Sequence, residues 1–207
     1  MPVAHRRLQR SFFERHPVRV ARALLGQRLV RIHRRRRLAG IIVETEAYLG
    51  IPDCAAHSFG GRRTARNESM WGKGGLTYVY FTYGMHHCVN VVAGTAGKPV
   101  AVLLRALEPD EGLKIMGKHR TAVRVARKPT DLCAGPAKLC QAMAIDRSLD
   151  GRDLVSDPTI FIEQVRCKAV ASSKIAIAKR IGVDYAGAWG HKPLRFYLKH
   201  NPHISRL

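Results

Sequence analysis

The segment IIVETEAYLG (41–50) sets three polar side chains, Glu44, Glu46 and Tyr48, two residues apart in an otherwise apolar run. On an extended strand such positions share one face. A carboxylate emerging from an apolar strand beside an aromatic ring suits a general base next to a flat ligand. The same spacing also fits the solvent side of an amphipathic edge strand, where the carboxylates do no chemistry. His57, Arg62, Arg63, Thr64, Arg66 and Asn67 follow in the adjoining loop, and then come Tyr78, Tyr80 and Tyr83, with Tyr78 and Tyr80 alternating onto one face. Rings, cations and one isolated carboxylate together suit the handling of an unstacked base. Aromatic faces replace stacking lost from a helix, at about 1–3 kcal/mol per base. An enzyme that acts on a base inside a duplex must first flip it out. A lone carboxylate without a metal then fits hydrolysis in which water attacks a sugar carbon and the base departs.

Two other chemistries compete for the same residues. Glu44, Glu46 and Asp53 are candidate ligands for a hard cation in a nuclease, although that reading leaves the tyrosines unused. A non-catalytic RNA-binding module uses the same cations and rings, but has no need of a carboxylate among pocket tyrosines. Ten histidines include no HxxxH or HExxH pattern, and the adjacent His86 and His87 point apart on a strand, so no metal site is expected. Five scattered cysteines (Cys54, Cys88, Cys133, Cys140, Cys167) contain no CxxC and read as free thiols in a reducing compartment. The spacing of Cys133 and Cys140 is compatible with one helix face.

The elements that must position these groups follow from pattern. Residues 1–16 are polar, basic and aperiodic and read as a flexible basic arm. PVRVARALLG (17–26) has proline first, glycine last and apolar residues at helical spacing, which predicts a helix. Residues 27–32 and 38–50 predict two strands joined by the basic tip His33–Arg37, whose arginines suit non-specific phosphate contact. Residues 51–76 form a long irregular loop, a length that usually signals function or disorder. LTYVYFTYGMHHCVNVV (76–92) predicts two strands meeting at a turn or bulge at Gly84. A buried strand over 98–109 ends at Pro109, and residues 110–145 turn helical, with Pro136 near the start of a second helix. FIEQVRCKAV suggests a strand, KIAIAKRIGV a short strand or helix, and PLRFYLK (193–199) a closing strand. With no internal repeat or linker, the expected fold class is α+β, with one domain over 17–207.

Composition narrows the partners. Among 207 residues, 36 Lys and Arg against 15 Asp and Glu give a net charge of +21, spread along both halves of the chain. A folded domain with that field repels itself unless a polyanion lies against it, and phosphate backbones are the commonest such partner. At 46% hydrophobic and 25% charged, the chain is not disordered by composition. No stretch approaches the ~20 apolar residues of a membrane helix, and the N-terminus lacks the apolar centre of a signal peptide, so neither membrane association nor export is expected.

Eight blocks, in order, carry a resemblance: ETEAYLG (44–50), AAHS (55–58), RNESMW (66–71), YVYFTYGMHHCVNVV (78–92), LLRALEP (103–109), LCAGPAKLCQAMAI (132–145), RIGVDYAG (180–187) and KPLRFY (192–197). Over about residues 17–205 the chain resembles the alkyladenine, or 3-methyladenine, DNA glycosylase family. The resemblance implies a mixed domain around a curved antiparallel sheet with a protruding β-hairpin. It implies a base-excision-repair enzyme without cofactor, acting as a monomer on double-stranded DNA that contains damaged purines, in the cytoplasm or nucleus. Glu46 resembles the base that activates water, Arg105 the arginine that helps hold the water and a neighbouring phosphate, and the backbone carbonyl of Ile181 the water's third partner. Tyr48 and Tyr80 match the walls around the flipped base, His57 its lateral contact, and Asn90 the residue that crowds the 2-amino group of guanine. Tyr83 matches the wedge that enters the minor groove. Arg62, Thr64, Met70 and Lys138 match contacts to the DNA backbone. Phe59 stands where some relatives have a longer polar or basic residue, and GKGGLT (72–77) replaces a more proline-containing approach to the hairpin. The strongly basic surroundings are expected to keep Glu46 ionised.

Overall fold

The structure, a computed structural model, describes residues 6–121 and 128–206. Its organising element is β2 (Arg36–Tyr48), a strand of 13 residues whose length follows from the apolar run LAGIIVETEAY. One edge of β2 pairs first with β1 (Arg28–His33) and then, beyond a gap, with β8 (Arg195–Leu198). The other edge pairs along its length with β5 (Val100–Glu111). The antiparallel sheet continues through β4 (His86–Ala93) to β3 (Thr77–Thr82) on one side. It continues through β6 (Ile160–Glu163) beside β1, and through β7 (Ile175–Ala178) beside β8, on the other. Among the described residues, eight antiparallel strands with a few helices make this an α+β fold.

Among the described residues four α-helices accompany the sheet: α1 (Arg10–Phe13), α2 (Pro17–Leu24), α3 (Leu113–Thr121) and α4 (Pro136–Ala142). Helix α2 forms where the sequence indicates, with proline in its first turn and the left-handed Gly26 (φ 81°) beyond its end. It buries Val20, Ala21 and Leu24, and its Ala21 carbonyl accepts from the Thr45 hydroxyl at 3.0 Å. That bond ties the helix to the strand that carries Glu44 and Glu46.

Several expectations change on contact with the fold. Residues 6–16 are no loose arm: Leu8 and Phe13 are buried in the main core and the Leu8 amide bonds the Ile162 carbonyl at 2.9 Å. Two apolar anchors suffice where periodicity gave no signal; residues 1–5 lie outside the described residues. The arginine tip is tighter than the expected loop, because His33 already pairs with Arg36 and only Arg34 and Arg35, both at positive φ, make the turn. Strand β5 runs through Pro109 to Glu111, and the missing N–H of Pro109 is accommodated by a register shift opposite Gly40. A Cβ at Gly40 would lie 3.0 Å from the Glu108 carbonyl oxygen, so a side chain there would push the two strands apart. Cys133 lies before α4 and shares no helix with Cys140, because the chain turns helical only at Pro136. Of the segment expected to be helical, residues 122–127 lie outside the described residues.

The irregular segment between β2 and β3 is ordered by buried polar side chains that stand in for strand pairing. Asp53 accepts from the amides of Leu49 (2.9 Å) and Ala55 (3.1 Å) and from both terminal nitrogens of Arg180 (2.6 and 2.8 Å). Both side chains of this ion pair are fully buried. Asn67 holds the next turn, donating to the His57 (3.0 Å) and Arg62 (2.9 Å) carbonyls and accepting from the Thr64 amide (2.7 Å). Removing one partner of a buried ion pair leaves an uncompensated charge, so Asp53→Ala should lower unfolding stability in urea by about 3–5 kcal/mol. The double variant Asp53→Ala/Arg180→Leu should lose less than Asp53→Ala alone, and a larger loss would show that the pair is not what holds the loop.

Candidate active site

At the end of the sheet where β2 runs into this loop, a cavity of about 200 Å³ opens to solvent. That is below the usual 300–1,000 Å³ of small-molecule pockets and suits a single flat ring system. Tyr48, His57, Tyr78, Tyr80, Asn90, Arg105 and Ile181 all line it, so residues from strands β2 to β5 and from two loops meet at one place. The alternation of β3 brings Tyr78 and Tyr80 together, with ring centres 5.3 Å apart. His57 stands edge-on to Tyr80 at 4.6 Å, and its Nδ1 lies 2.7 Å from the Tyr78 hydroxyl. Burial, reinforced by Arg66 and Arg62, pushes the His57 pKa down to about 4, so the ring is neutral at pH 7. Burial also pushes the Tyr78 hydroxyl upward, which keeps it protonated. In the tautomer where Tyr78 donates to Nδ1, the Nε2–H of His57 is left as a donor.

Glu46 is 0% exposed. Its Oε1 accepts from the Ile181 amide at 2.8 Å and faces Arg105 Nη1 at 3.1 Å, while its Oε2 accepts from the Tyr48 hydroxyl at 3.0 Å. Glu44, also 0% exposed, binds Arg105 Nε and Arg195 Nη1, each at 2.9 Å. The two carboxylates are therefore on the inner side of the sheet and not at a solvated edge. Together with Asp53 they are engaged by three buried arginines, which is where the ligands of the competing nuclease reading are committed. Among the described residues no group of three or more His, Cys, Asp or Glu is placed to hold a metal ion. Arg105 reaches both carboxylates because it sits at a register shift: Ala106 pairs with Glu44 and Leu104 with Thr45, leaving Arg105 between the pairs. Bulges of this kind re-aim a side chain, often beside an active site.

The basic surroundings do not alone set the pKa of Glu46. Burial raises its pKa above the ordinary value and outweighs the opposing influence of Arg105, the Ile181 amide and the Tyr48 hydroxyl. A cationic neighbourhood alone would have kept it low. The consequence is a more basic carboxylate, which suits proton abstraction.

The remaining expected residues fall in distinct places. Asn90 is buried opposite Tyr78 and donates to its carbonyl at 3.0 Å, which fixes its position in the cavity wall. Tyr83 tops the β3–β4 hairpin, 83% exposed, with a left-handed backbone (φ 50°) uncommon for a large side chain. Ile181 borders the cavity and its amide is turned to Glu46. Arg62 and Thr64 line a neighbouring groove with Arg66. Lys138, in α4, pairs with Asp131 at 3.0 Å. Met70 is 2% exposed and packs against Tyr78, so its side chain belongs to the cavity floor.

Sequence reasoning missed Arg180, Arg195 and Ser205. Arg180 lies 4.7 Å over the Tyr48 ring while it clasps Asp53, and so fixes one cavity wall from behind. Nothing in its local sequence distinguishes it from other arginines. The raised pKa carries a sign: only the carboxylate form accepts a proton, so a reaction that uses Glu46 as its base should slow as pH drops through the Glu46 pKa. The acid limb of the single-turnover rate is expected above pH 4.5, the ordinary glutamate value, and a limb near 4 would point to His57 instead.

The sequence model of the methylpurine-DNA glycosylase family matches residues 11–202. Mouse DNA-3-methyladenine glycosylase is 49% identical over 205 residues, which is 96% of this chain and 61% of that protein. The human DNA-3-methyladenine glycosylase is 47% identical over 205 residues, 96% of this chain and 68% of that protein. The chain thus spans about two thirds of these mammalian relatives. A protein of Desulfitobacterium hafniense is 44% identical over 204 residues, 97% of this chain and 98% of its own length. The matched residues include both strands of the tyrosine hairpin, the Glu44–Glu46 strand and the Arg180 loop. The chain belongs to the methylpurine-DNA glycosylase family.

Proposed function

We propose that the protein hydrolyses the N-glycosidic bond of an alkylated or deaminated purine flipped out of double-stranded DNA. The observation that carries this reading is Glu46: a fully buried carboxylate of raised pKa, held directly behind Tyr48, Arg105 and Ile181 where they line a cavity of single-base size walled by tyrosines. Glu46 takes a proton from water, the water oxygen bonds to the anomeric carbon, and the C–N bond breaks with its electron pair leaving on the purine. An alkylated purine is already cationic. It is therefore a good leaving group and is attracted to electron-rich tyrosine faces, at about 0.5–2 kcal/mol per cation–π contact. A carboxylate close to the sugar also stabilises its oxocarbenium-like transition state.

The other residues take supporting roles. Tyr48 and Tyr80 enclose the base and His57 contacts its edge. Asn90 crowds the 2-amino group of an undamaged guanine. Arg105 and the Ile181 carbonyl help to hold the water, and Tyr83 fills the space that the base vacates. Arg62, Thr64, Lys138 and the Met70 peptide contact the DNA backbone. The protein acts as a monomer wherever the DNA is, and the +21 charge supports binding to the phosphates. Activity needs no metal or organic cofactor. An excision panel over 3-methyladenine, 7-methylguanine, hypoxanthine and ethenoadenine in duplex DNA, with and without chelator, tests the assignment. Base release insensitive to chelator, leaving an intact strand with an abasic site, is expected. Loss of release with chelator, or a borohydride-trapped covalent adduct, would contradict it.

Base and wedge should separate by mutation. Glu46→Gln keeps the shape of the side chain but removes the proton acceptor, so excision should vanish while lesion DNA still binds. Tyr83→Asn tolerates the left-handed backbone but removes the ring, and unstacking costs a few kcal/mol. Lesion affinity and excision should both fall, least for lesions in mismatches, which unpair readily. Equal severity of the two variants on every substrate would show the roles to be misassigned.

A further inference from the structure

Ser205 and Glu44 lie on the side of Arg105 away from Glu46, and together they occupy the rest of its guanidinium. Arg105 donates from Nε to Glu44 Oε1 at 2.9 Å and from Nη2 to the Ser205 hydroxyl at 3.1 Å, and meets Glu46 through an ion pair of Nη1 with Oε1 at 3.1 Å. Ser205 is bound to Glu44 twice over, through its hydroxyl to Oε1 at 2.9 Å and its amide to Oε2 at 2.6 Å. The segment carrying Ser205 is itself pinned. Asn201 donates to Glu108 Oε2 at 2.7 Å, the His203 amide to Asn201 Oδ1 at 2.9 Å, and Arg195 Nη1 to the Arg206 carbonyl at 2.8 Å. Arg195, on β8, also faces Glu44 from that strand.

An arginine facing a single carboxylate prefers to grip both oxygens with two parallel bonds. Here the nitrogens that would complete such a fork on Glu46 are held elsewhere, and Oε2 of Glu46 is left with the Tyr48 hydroxyl. We propose that Ser205 and Glu44 are positioning residues that keep Arg105 to a one-point contact with Glu46, so that Glu46 remains a competent base. This rests on the role of Glu46 proposed above. It assigns function to the segment after β8, which contributes no group to the cavity wall yet sets the geometry of one that does.

The groups facing Glu46 define what a pH profile would report. They are Arg105 from β5, Glu44 and Tyr48 from β2, Tyr80 from β3, Cys88 from β4 and Arg180 from the loop after β7, with Arg195 on β8 acting through Glu44. Without Ser205 or the Glu44 charge, Arg105 swings further onto Glu46, and an opposite charge drawn closer favours the ionised form. The acid limb of excision therefore moves to lower pH while the plateau falls, a combination that general loosening of the site would not give.

The test compares Ser205→Ala, Ser205→Thr, Glu44→Gln and Glu46→Gln by single-turnover excision across pH, with lesion DNA affinity and melting temperature measured alongside. Ser205→Ala should lose roughly ten- to a hundredfold in plateau rate, the scale of a misplaced catalytic group. Its acid limb should move down in pH and its DNA affinity should stay unchanged. Glu44→Gln should shift the limb in the same direction, and Ser205→Thr, which keeps the hydroxyl, should restore the rate. The proposal is overturned if Ser205→Ala keeps the native rate and limb. It is also overturned if Ser205→Ala and Ser205→Thr lose rate and affinity alike without a shift of the limb. Excision retained by Glu46→Gln would instead overturn the assignment of the base itself.

Discussion

A carboxylate at zero exposure is costly unless its neighbours compensate it, and the site is organised around meeting that cost for Glu46 without neutralising its basicity. Burial alone favours the protonated acid, which accepts no proton. A full bidentate pairing with arginine favours an ionised group too weakly basic to use. The structure lies between these limits, with one amide, one phenol and a single arginine nitrogen on the two oxygens. Arg105 can be that partial because Glu44 takes its remaining charge, and Glu44 can be buried because Arg195 and Ser205 answer it in turn. The buried charges balance as a set, which is why a position such as Ser205, outside the cavity, bears on its chemistry.

The same device builds the cavity wall. Regular pairing ends at Tyr48, yet the next residues must hold His57 against Tyr78 and Tyr80. Asp53, Asn67 and Arg180 supply the missing constraint by satisfying backbone groups that would otherwise be buried without partners. Arg180 links the two tasks, since it clasps the loop through Asp53 and lies over the ring of Tyr48. The exposed, strained Tyr83 is the opposite case. A large ring in a left-handed turn does nothing for packing, which supports a role outside the fold itself.

Much of this was legible in the chain because period-2 patterning reports faces directly. The alternation of ETEAY brought Glu44, Glu46 and Tyr48 together, and that of TYVY brought Tyr78 and Tyr80 together. Helix α2 was marked at both ends by Pro17 and Gly26. What stayed hidden depended on non-local events. The register shift that aims Arg105 between two carboxylates has no local signature, nor has the selection of Arg180 and Arg195 from so many arginines. The anchoring of residues 6–16 rested on two apolar side chains with no period. The direction of the Glu46 pKa was hidden for a physical reason, since sequence displays net charge and not burial, and here burial decides the direction.

The central claim, that burial with partial pairing holds the Glu46 carboxyl above its ordinary pKa, can be measured on the free protein without substrate. Carbon-13 labelling of the glutamate carboxyls, with the Glu46 resonance identified by its absence in Glu46→Gln, gives its titration midpoint. The account predicts a midpoint above the ordinary glutamate value of 4.5. A midpoint at or below 4.5 would mean that the surrounding cations dominate, and the structural explanation for its basicity would be wrong.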